Sequence, residues 1–289
     1  MTGSGKGIPP ALRRRLLWLL GWVYWAKRGL RRLLGRPRAR QGAPAVAAGV
    51  QPGVDAAATL PPDALEAVIA RNEHGLYCVP LSSQHRPVAR AILRSEAWER
   101  DTLDLVRQAD SEGDIVHAGT YFGDFIPALA RSRAPGALVW AFEPGSENYR
   151  CSEITISLNG LENVVLTRAG LSERSRTALL ATGGREGVPL GGASRVIVDP
   201  LRARWWENEE ITMVALDDVV GSDRRVAVIQ LDVEGHEKEA LLGALGMIER
   251  CRPLIILESL PRPSWVEEHL APFGYTVQGK VNHNAVLRA

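Results

Sequence analysis

The sequence predicts an α/β fold, a mostly parallel sheet with helices on both faces, behind a basic amphipathic N-terminal helix. Three observations carry this. From Gly113 onward, short apolar runs alternate with amphipathic stretches, the pattern of successive strand–helix units. Several of those runs end in glycine-rich or acidic turns, where open parallel sheets place ligands. The formal net charge of +2 conceals a split. Residues 1–40 hold eleven Lys and Arg and no acid, whereas residues 41–289 hold 24 bases against 33 acids, a net of −9. The body therefore has no basic face for nucleic acid.

A chain of 289 residues allows two domains or one large α/β domain with an added segment. With 45% hydrophobic and 24% charged residues, wholesale disorder and a collagen-like fibre are excluded. Cys78, Cys151 and Cys251 lie far apart with no C-x-x-C pair, which argues against a disulfide framework or cysteine zinc site and suits a reducing, cytoplasmic compartment.

The arm, residues 1–40, contains the uncharged block Leu16–Ala26 between arginines. As a helix it spans about 16 Å, half of a ~30 Å hydrocarbon core, so it is too short to cross a bilayer. Trp18, Trp22 and Trp25 share one helical face, and residues 11–34 combine that face with flanking Lys and Arg. This is the composition of an interfacial helix on the inner, anionic face of a membrane. Packing on the body or on a partner subunit is the alternative. A secretory signal is disfavoured by Lys27 and Arg28, directly after the apolar block where a small-residue cleavage site belongs. Residues 41–62, rich in Ala, Pro and Gly, read as a flexible linker.

Residues 63–112 form a lead-in: a short helix at 64–71, irregular structure over 76–93, and a helix from Glu96 to Gln108. In the main domain, 113–289, strands are expected at 114–118, 137–143, 163–168, 226–231 and 253–258. Helices are expected at 123–132, 146–158, 236–249 and 264–271. The glycine-bearing insert 170–215 reads as hairpins and loops over one edge, and 275–287 as a closing antiparallel hairpin.

The strand ends hold the chemistry. In H-A-G-T-Y-F-G-D-F, Gly119 and Gly123 flank a strand-to-helix turn that lets backbone approach a ligand. In W-A-F-E-P, Glu143 ends the next strand, placed to accept both hydroxyls of a ribose, with Pro144 after it. In V-I-Q-L-D-V-E-G-H-E, Asp232, Glu234, His236 and Glu237 put three carboxylates and an imidazole within six residues, more than helix capping requires. Glu258 ends P-L-I-I-L-E one strand over.

H-A-G-T-Y-F-G-D-F, A-F-E-P-G-S-E-N-Y, N-G-L-E-N-V, L-D-D-V, L-D-V-E-G-H-E and R-P-L-I-I-L-E, in this order, resemble the FkbM family of S-adenosylmethionine-dependent methyltransferases over residues 96–289. The resemblance implies a Rossmann-like class I methyltransferase fold of seven strands, the last antiparallel. It also implies O-methylation of hydroxyls on sugars, glycans, lipid-linked or natural-product acceptors. S-adenosylmethionine would be held by His117, Ala118, Gly119, Thr120, Gly123, Asp124, Glu143, Pro144 and Asp232. The chain departs from the family's usual Asp at His117, Asn at Tyr121 and Lys at Gln230. That Asp helps hold the methionine ammonium, a role Asp124 is placed to assume.

Loss of a proton by an alcohol during methyl transfer calls for a positioned base. Asp232 and His236 are the candidate catalytic residues, with Glu234 orienting them, and no metal is assigned. The alternatives are a catalytically impaired membrane-associated binding protein on the same fold and a nicotinamide-dependent oxidoreductase.

Overall fold

Val68 and Ile69 are β-branched, and the chain around them is extended. Ala67–Asn72 (β1) pairs antiparallel with Gly75–Pro80 (β2) in a computed structural model, which describes residues 65–289 other than Arg185. The predicted arm, the linker and the first residues of the lead-in lie outside the described residues. Two expectations are corrected here: 64–71 is not a helix, and 76–93 is not irregular. Eight residues are too few for a helix to persist on propensity alone, so tertiary pairing decides. Strand β2 puts Tyr77, Cys78 and Val79 into a buried cluster with Phe122 and Cys151. Cys78 and Cys151, 73 residues apart, meet there as free thiols with their sulfurs 3.8 Å apart.

A 3-10 turn (Leu81–Ser83) then leads to helix α1 (Pro87–Leu93), which opens on a proline where the missing N–H costs nothing. Helix α2 is Arg100–Arg107, shorter than the predicted 96–108. Ser95 and Glu99 have φ of 62° and 42°, left-handed values that stop helical propagation.

Strand β3 (Asp114–Ala118), helix α3 (Ile126–Arg131), strand β4 (Val139–Phe142), helix α4 (Ser146–Leu158) and strand β5 (Val164–Thr167) follow. The insert forms β6 (Gly170–Leu171), β7 (Arg176–Gly183), β8 (Arg195–Val196) and β9 (Glu207–Val214), a separate sheet of order β6-β9-β7-β8. After helix α5 (Leu216–Val219) come β10 (Val226–Leu231), α6 (Glu237–Leu242), α7 (Leu245–Cys251), β11 (Leu254–Leu257), α8 (Pro263–His269), β12 (Thr276–Val281) and β13 (Asn284–Arg288). The single helix expected over 236–249 is thus two. A Cβ on Gly243 would fall 2.0 Å from the Ser172 carbonyl oxygen, and the Gly243 carbonyl accepts from Asp217 N, so the insert backbone interrupts the helix.

The main sheet has seven strands in the order β12-β13-β11-β10-β3-β4-β5. Strand β13 is antiparallel to both neighbours, and the other pairings are parallel. Strands β3 and β11 are buried at every position and β10 at all but one, which explains their continuous apolar runs. Ile115, Val116, Ile229, Ile255 and Leu257 are fully buried, each contributing about 1.5–3 kcal/mol through removal from water. The chain runs outward through β3, β4 and β5, then returns to β10 on the other side of β3. The order reverses between β3 and β10, which opens a crevice at their carboxyl ends.

Candidate active site

That crevice is a cleft of about 540 Å³ including its open mouth. Ala118 and Gly119 line it from the end of β3, Glu143 and Pro144 from the end of β4, and Asp232 and His236 from beyond β10. The insert supplies the facing wall through Leu180, Gly192 and Met213.

The glycine turn is shaped by close approach. Gly119 has φ of 80°, and a Cβ on it would lie 1.8 Å from the Asp232 carbonyl oxygen. Only glycine permits that conformation and that contact. The Asp232 amide donates to the Ala118 carbonyl at 3.0 Å, closing the seam between the two strand ends. Thr120 is buried and donates its hydroxyl to the Phe142 carbonyl at 3.1 Å, which ties the turn to β4. Gly123 turns the chain against Thr155 of α4. Asp124 follows at the entrance to α3, where burial and then the charges of Glu99 and Glu143 push its carboxyl up to about 7.

Glu143 accepts backbone N–H bonds from Tyr121 at 2.8 Å and Gly145 at 2.9 Å. Burial nevertheless raises its carboxyl to about 7, with those two bonds opposing the shift. The carboxylate is thereby oriented at the cleft wall and still has lone pairs to offer.

His117 and Asp124 do not line the cleft, and neither do Thr120 and Gly123, so the sequence expectation is narrowed to Ala118, Gly119, Glu143, Pro144 and Asp232 on the wall. His117 lies in the centre of the sheet, 2% exposed, with Nδ1 against Gln230 Oε1 and its ring stacked on Phe125 at 5.6 Å. Burial lowers its pKa to about 4, so it is a neutral imidazole and supplies no charge for an ammonium. His117 and Gln230 are also direct partners in the β3–β10 register. Two of the three departures from the family pattern are therefore a single neutral pair.

Beyond β10, Asp232 lines the cleft with Glu234 and Glu258 beside it. Their carboxylate oxygens lie within 4.8 Å of one another. Burial, then the charge of Glu258, pushes Asp232 well above the usual carboxylate range, and the same two causes raise Glu234 to about 7. Three carboxylates this close, with water completing the shell, are enough to hold a hard divalent cation.

His236 is buried at the start of α6. Its Nε2 faces Arg176 Nη2 at 3.4 Å and its Nδ1 faces Glu239 at 3.7 Å. Burial lowers its pKa, opposed by Glu239 and reinforced by Arg176. Arg176 competes for the one lone pair that a base would use. Sequence reasoning missed Arg86, Arg176 and Arg195, because the lead-in and the insert carry no spacing that ties them to the strand ends. It named Glu258 without assigning it to the site, although its place at the end of an apolar run was a usable signal.

Residues 117–274 match the model of the methyltransferase FkbM domain. No curated protein matches the chain. Similar solved structures include methyltransferase FkbM from Methylobacillus flagellatus KT, at 15% identity over 62% of this chain and 44% of that one, with a TM-score of 0.41. This chain thus spans less than half the length of that protein. A methyltransferase from Geobacter sulfurreducens is 16% identical over 72% of this chain and 89% of that one, with a TM-score of 0.38. M. jannaschii TYW2 in complex with AdoMet is 14% identical over 78% and 84%, with a TM-score of 0.41.

Proposed function

The chain belongs to the methyltransferase FkbM family and uses S-adenosylmethionine, and on that basis we propose that its methyl acceptor is a hydroxyl oxygen. The acceptor class is a sugar, glycan, lipid-linked or natural-product alcohol. The cleft suits the cofactor. At Gly119 a Cβ would close the seam against Asp232, and Glu143 presents a buried carboxylate, held by two backbone amides, toward a ribose diol. Ala118, Gly119, Glu143 and Pro144 are the residues that would hold the adenosyl portion.

The bound cofactor supplies an electrophilic methyl group on a sulfonium. What the chain itself contributes is alignment and proton removal. Enclosure between the strand ends and the insert orients the acceptor, the larger part of a displacement reaction. The observation that favours a hydroxyl is the carboxylate group around Asp232. A neutral amine can shed its proton after transfer, whereas an alcohol, a much weaker nucleophile, gives up its proton as the new bond forms. Asp232, whose proton affinity is raised above the usual carboxylate range by burial and then by Glu258, takes that proton on a carboxylate oxygen. The charge of Glu234 adds to the same shift.

Labelled methyl transfer into a panel of sugars, glycolipids and polyhydroxylated natural products tests the reading. Label should reach hydroxyl oxygens, and Asp232→Asn should lower turnover by about 10²–10⁴-fold with cofactor affinity nearly unchanged. Label found on nitrogen, or full turnover in Asp232→Asn, would overturn it. The cytoplasmic side of a membrane is the proposed location. Its support is the charge split between arm and body, and no helix among the described residues is long and apolar enough to cross a membrane.

A further inference from the structure

Two buried donors near the cleft have no hydrogen-bond partner among the described residues: the Nε of Arg86 and the hydroxyl of Tyr121. They converge on one place. Arg86, at the start of α1, donates through Nη2 to the carbonyl of Leu190 in the insert. Next along the chain is Gly191, with φ of 54°. A Cβ on it would lie 3.0 Å from Tyr121 Oη and 2.6 Å from Ser83 Oγ. Tyr121 itself belongs to the glycine turn, lines the cleft and is 5% exposed. Its hydroxyl lies near Ser83 without a hydrogen bond of normal geometry. Three segments distant in sequence therefore bring a guanidinium, a phenol and an alcohol to one corner. Buried polar groups left unsatisfied are costly and rare, so two donors together imply an absent acceptor.

The acceptor's charge follows from the surroundings. The cleft carboxylates are Glu143 and Asp232, with Glu234 and Glu258 adjoining and Asp124 nearby. An α-carboxylate among them would be repelled. Arg86 also acts electrostatically on Glu234, opposing the upward shift of its carboxyl. Arg195, which lines the cleft, has its guanidinium 5.0 Å from the Trp206 ring.

We propose that Arg86, with the Tyr121 hydroxyl and Ser83, forms a clamp for the α-carboxylate of the cofactor's methionine moiety. The clamp rests on the methyltransferase reading and adds to it the residues that take the anionic end. It also accounts for the tyrosine in the glycine turn, whose ring carries a donor across to the insert, where a short amide would not reach.

Calorimetric titration of the full chain tests this with two ligands. One is S-adenosylhomocysteine. The other is S-adenosyl-3-thiopropylamine, the same molecule without its carboxylate. Arg86→Gln should weaken S-adenosylhomocysteine by about tenfold or more, the loss of a charge-assisted bond, and change the decarboxylated ligand by less than about twofold. Arg86→Lys should restore part of the difference, since a point charge replaces the fork. Tyr121→Phe, which removes only the hydroxyl, should show the same selectivity at about three- to tenfold and serves if Arg86→Gln fails to fold. Equal loss for both ligands makes Arg86 and Tyr121 structural and overturns the clamp. Unchanged S-adenosylhomocysteine affinity in the variants overturns it too. If the wild-type chain binds the decarboxylated ligand but not S-adenosylhomocysteine, the clamp alone fails. If it binds neither, the cofactor reading fails and takes the clamp with it.

Discussion

Glu143 binds a proton more tightly in the folded chain than in the unfolded one. Its carboxyl stands near 7 through burial, as do those of Asp124 and Glu234, whereas an exposed carboxyl titrates near 4. In the window where folded chains bind more protons than unfolded ones, stability falls as pH rises. The buried histidines His117 and His236 act in the opposite sense, because their folded pKa values are lowered, and the unfolded chain sheds their charge between about pH 6 and 7.5. From pH 6.5 to 8 the raised carboxyls outweigh them, so Tm should decrease. Glu143→Gln should flatten that decrease and weaken S-adenosylhomocysteine by about 1–3 kcal/mol, the cost of losing a charged hydrogen-bond acceptor. Scanning calorimetry at pH 6.5 and 8 with a ligand titration measures both. An unchanged slope together with unchanged affinity would remove Glu143 from the ribose site. The glycine turn and Glu143 were legible in sequence because each directly follows an apolar run. The neutrality of His117 was not, since it comes from burial in the assembled sheet, where Gln230, 113 residues away, faces it only through the β3–β10 register.

Among the elements, β3 is anchored at both ends by different chemistry. Its carboxyl end carries the glycine turn. Its first residue, Asp114, is 1% exposed and accepts from Arg224 Nε at 2.7 Å, Trp140 Nε1 at 2.8 Å and Leu138 N at 2.8 Å. These bonds tie β3 to β4 and to the segment before β10, at the end of the sheet away from the cleft. Asp114→Ala leaves a guanidinium, an indole N–H and an amide unpartnered, and should cost about 3 kcal/mol. Chemical denaturation should show that loss, and S-adenosylhomocysteine affinity in the folded fraction should stay close to wild type. A loss of affinity without a loss of stability would mean that β3 transmits strain along its length to the turn. The same strand shows how elements were read. Residues 114–118 and 226–231 were predicted to the residue, because buried parallel strands are uninterrupted apolar runs bounded by polar turns. Residues 64–71 were misread, since their Ala and Leu content suits a helix and only pairing with Gly75–Pro80 makes them a strand.

Across the full chain, charge distribution is the governing feature. A body of net −9 should be repelled by an anionic leaflet, whereas an arm with eleven bases and Trp18, Trp22 and Trp25 should be attracted to it. The full chain should co-sediment with anionic vesicles, and residues 63–289 alone should not. Binding should weaken with salt as the Debye length falls from about 10 Å at 0.1 M to about 3 Å at 1 M, with a remainder from the tryptophans. Equal sedimentation of the two would assign the arm to protein packing. The α/β architecture, the strand ends that bear chemistry and the charge split could all be read along the chain, because apolar periodicity and composition are local properties. Which of those ends face one cleft was settled by assembly of the sheet. Folding set Asp232 beside Glu258, opposed Arg176 to His236, and carried Arg86 and the insert over the glycine turn. Proton affinity and charge complementarity depend on distance in space, and residues so far apart in the chain acquire that distance only when the sheet assembles.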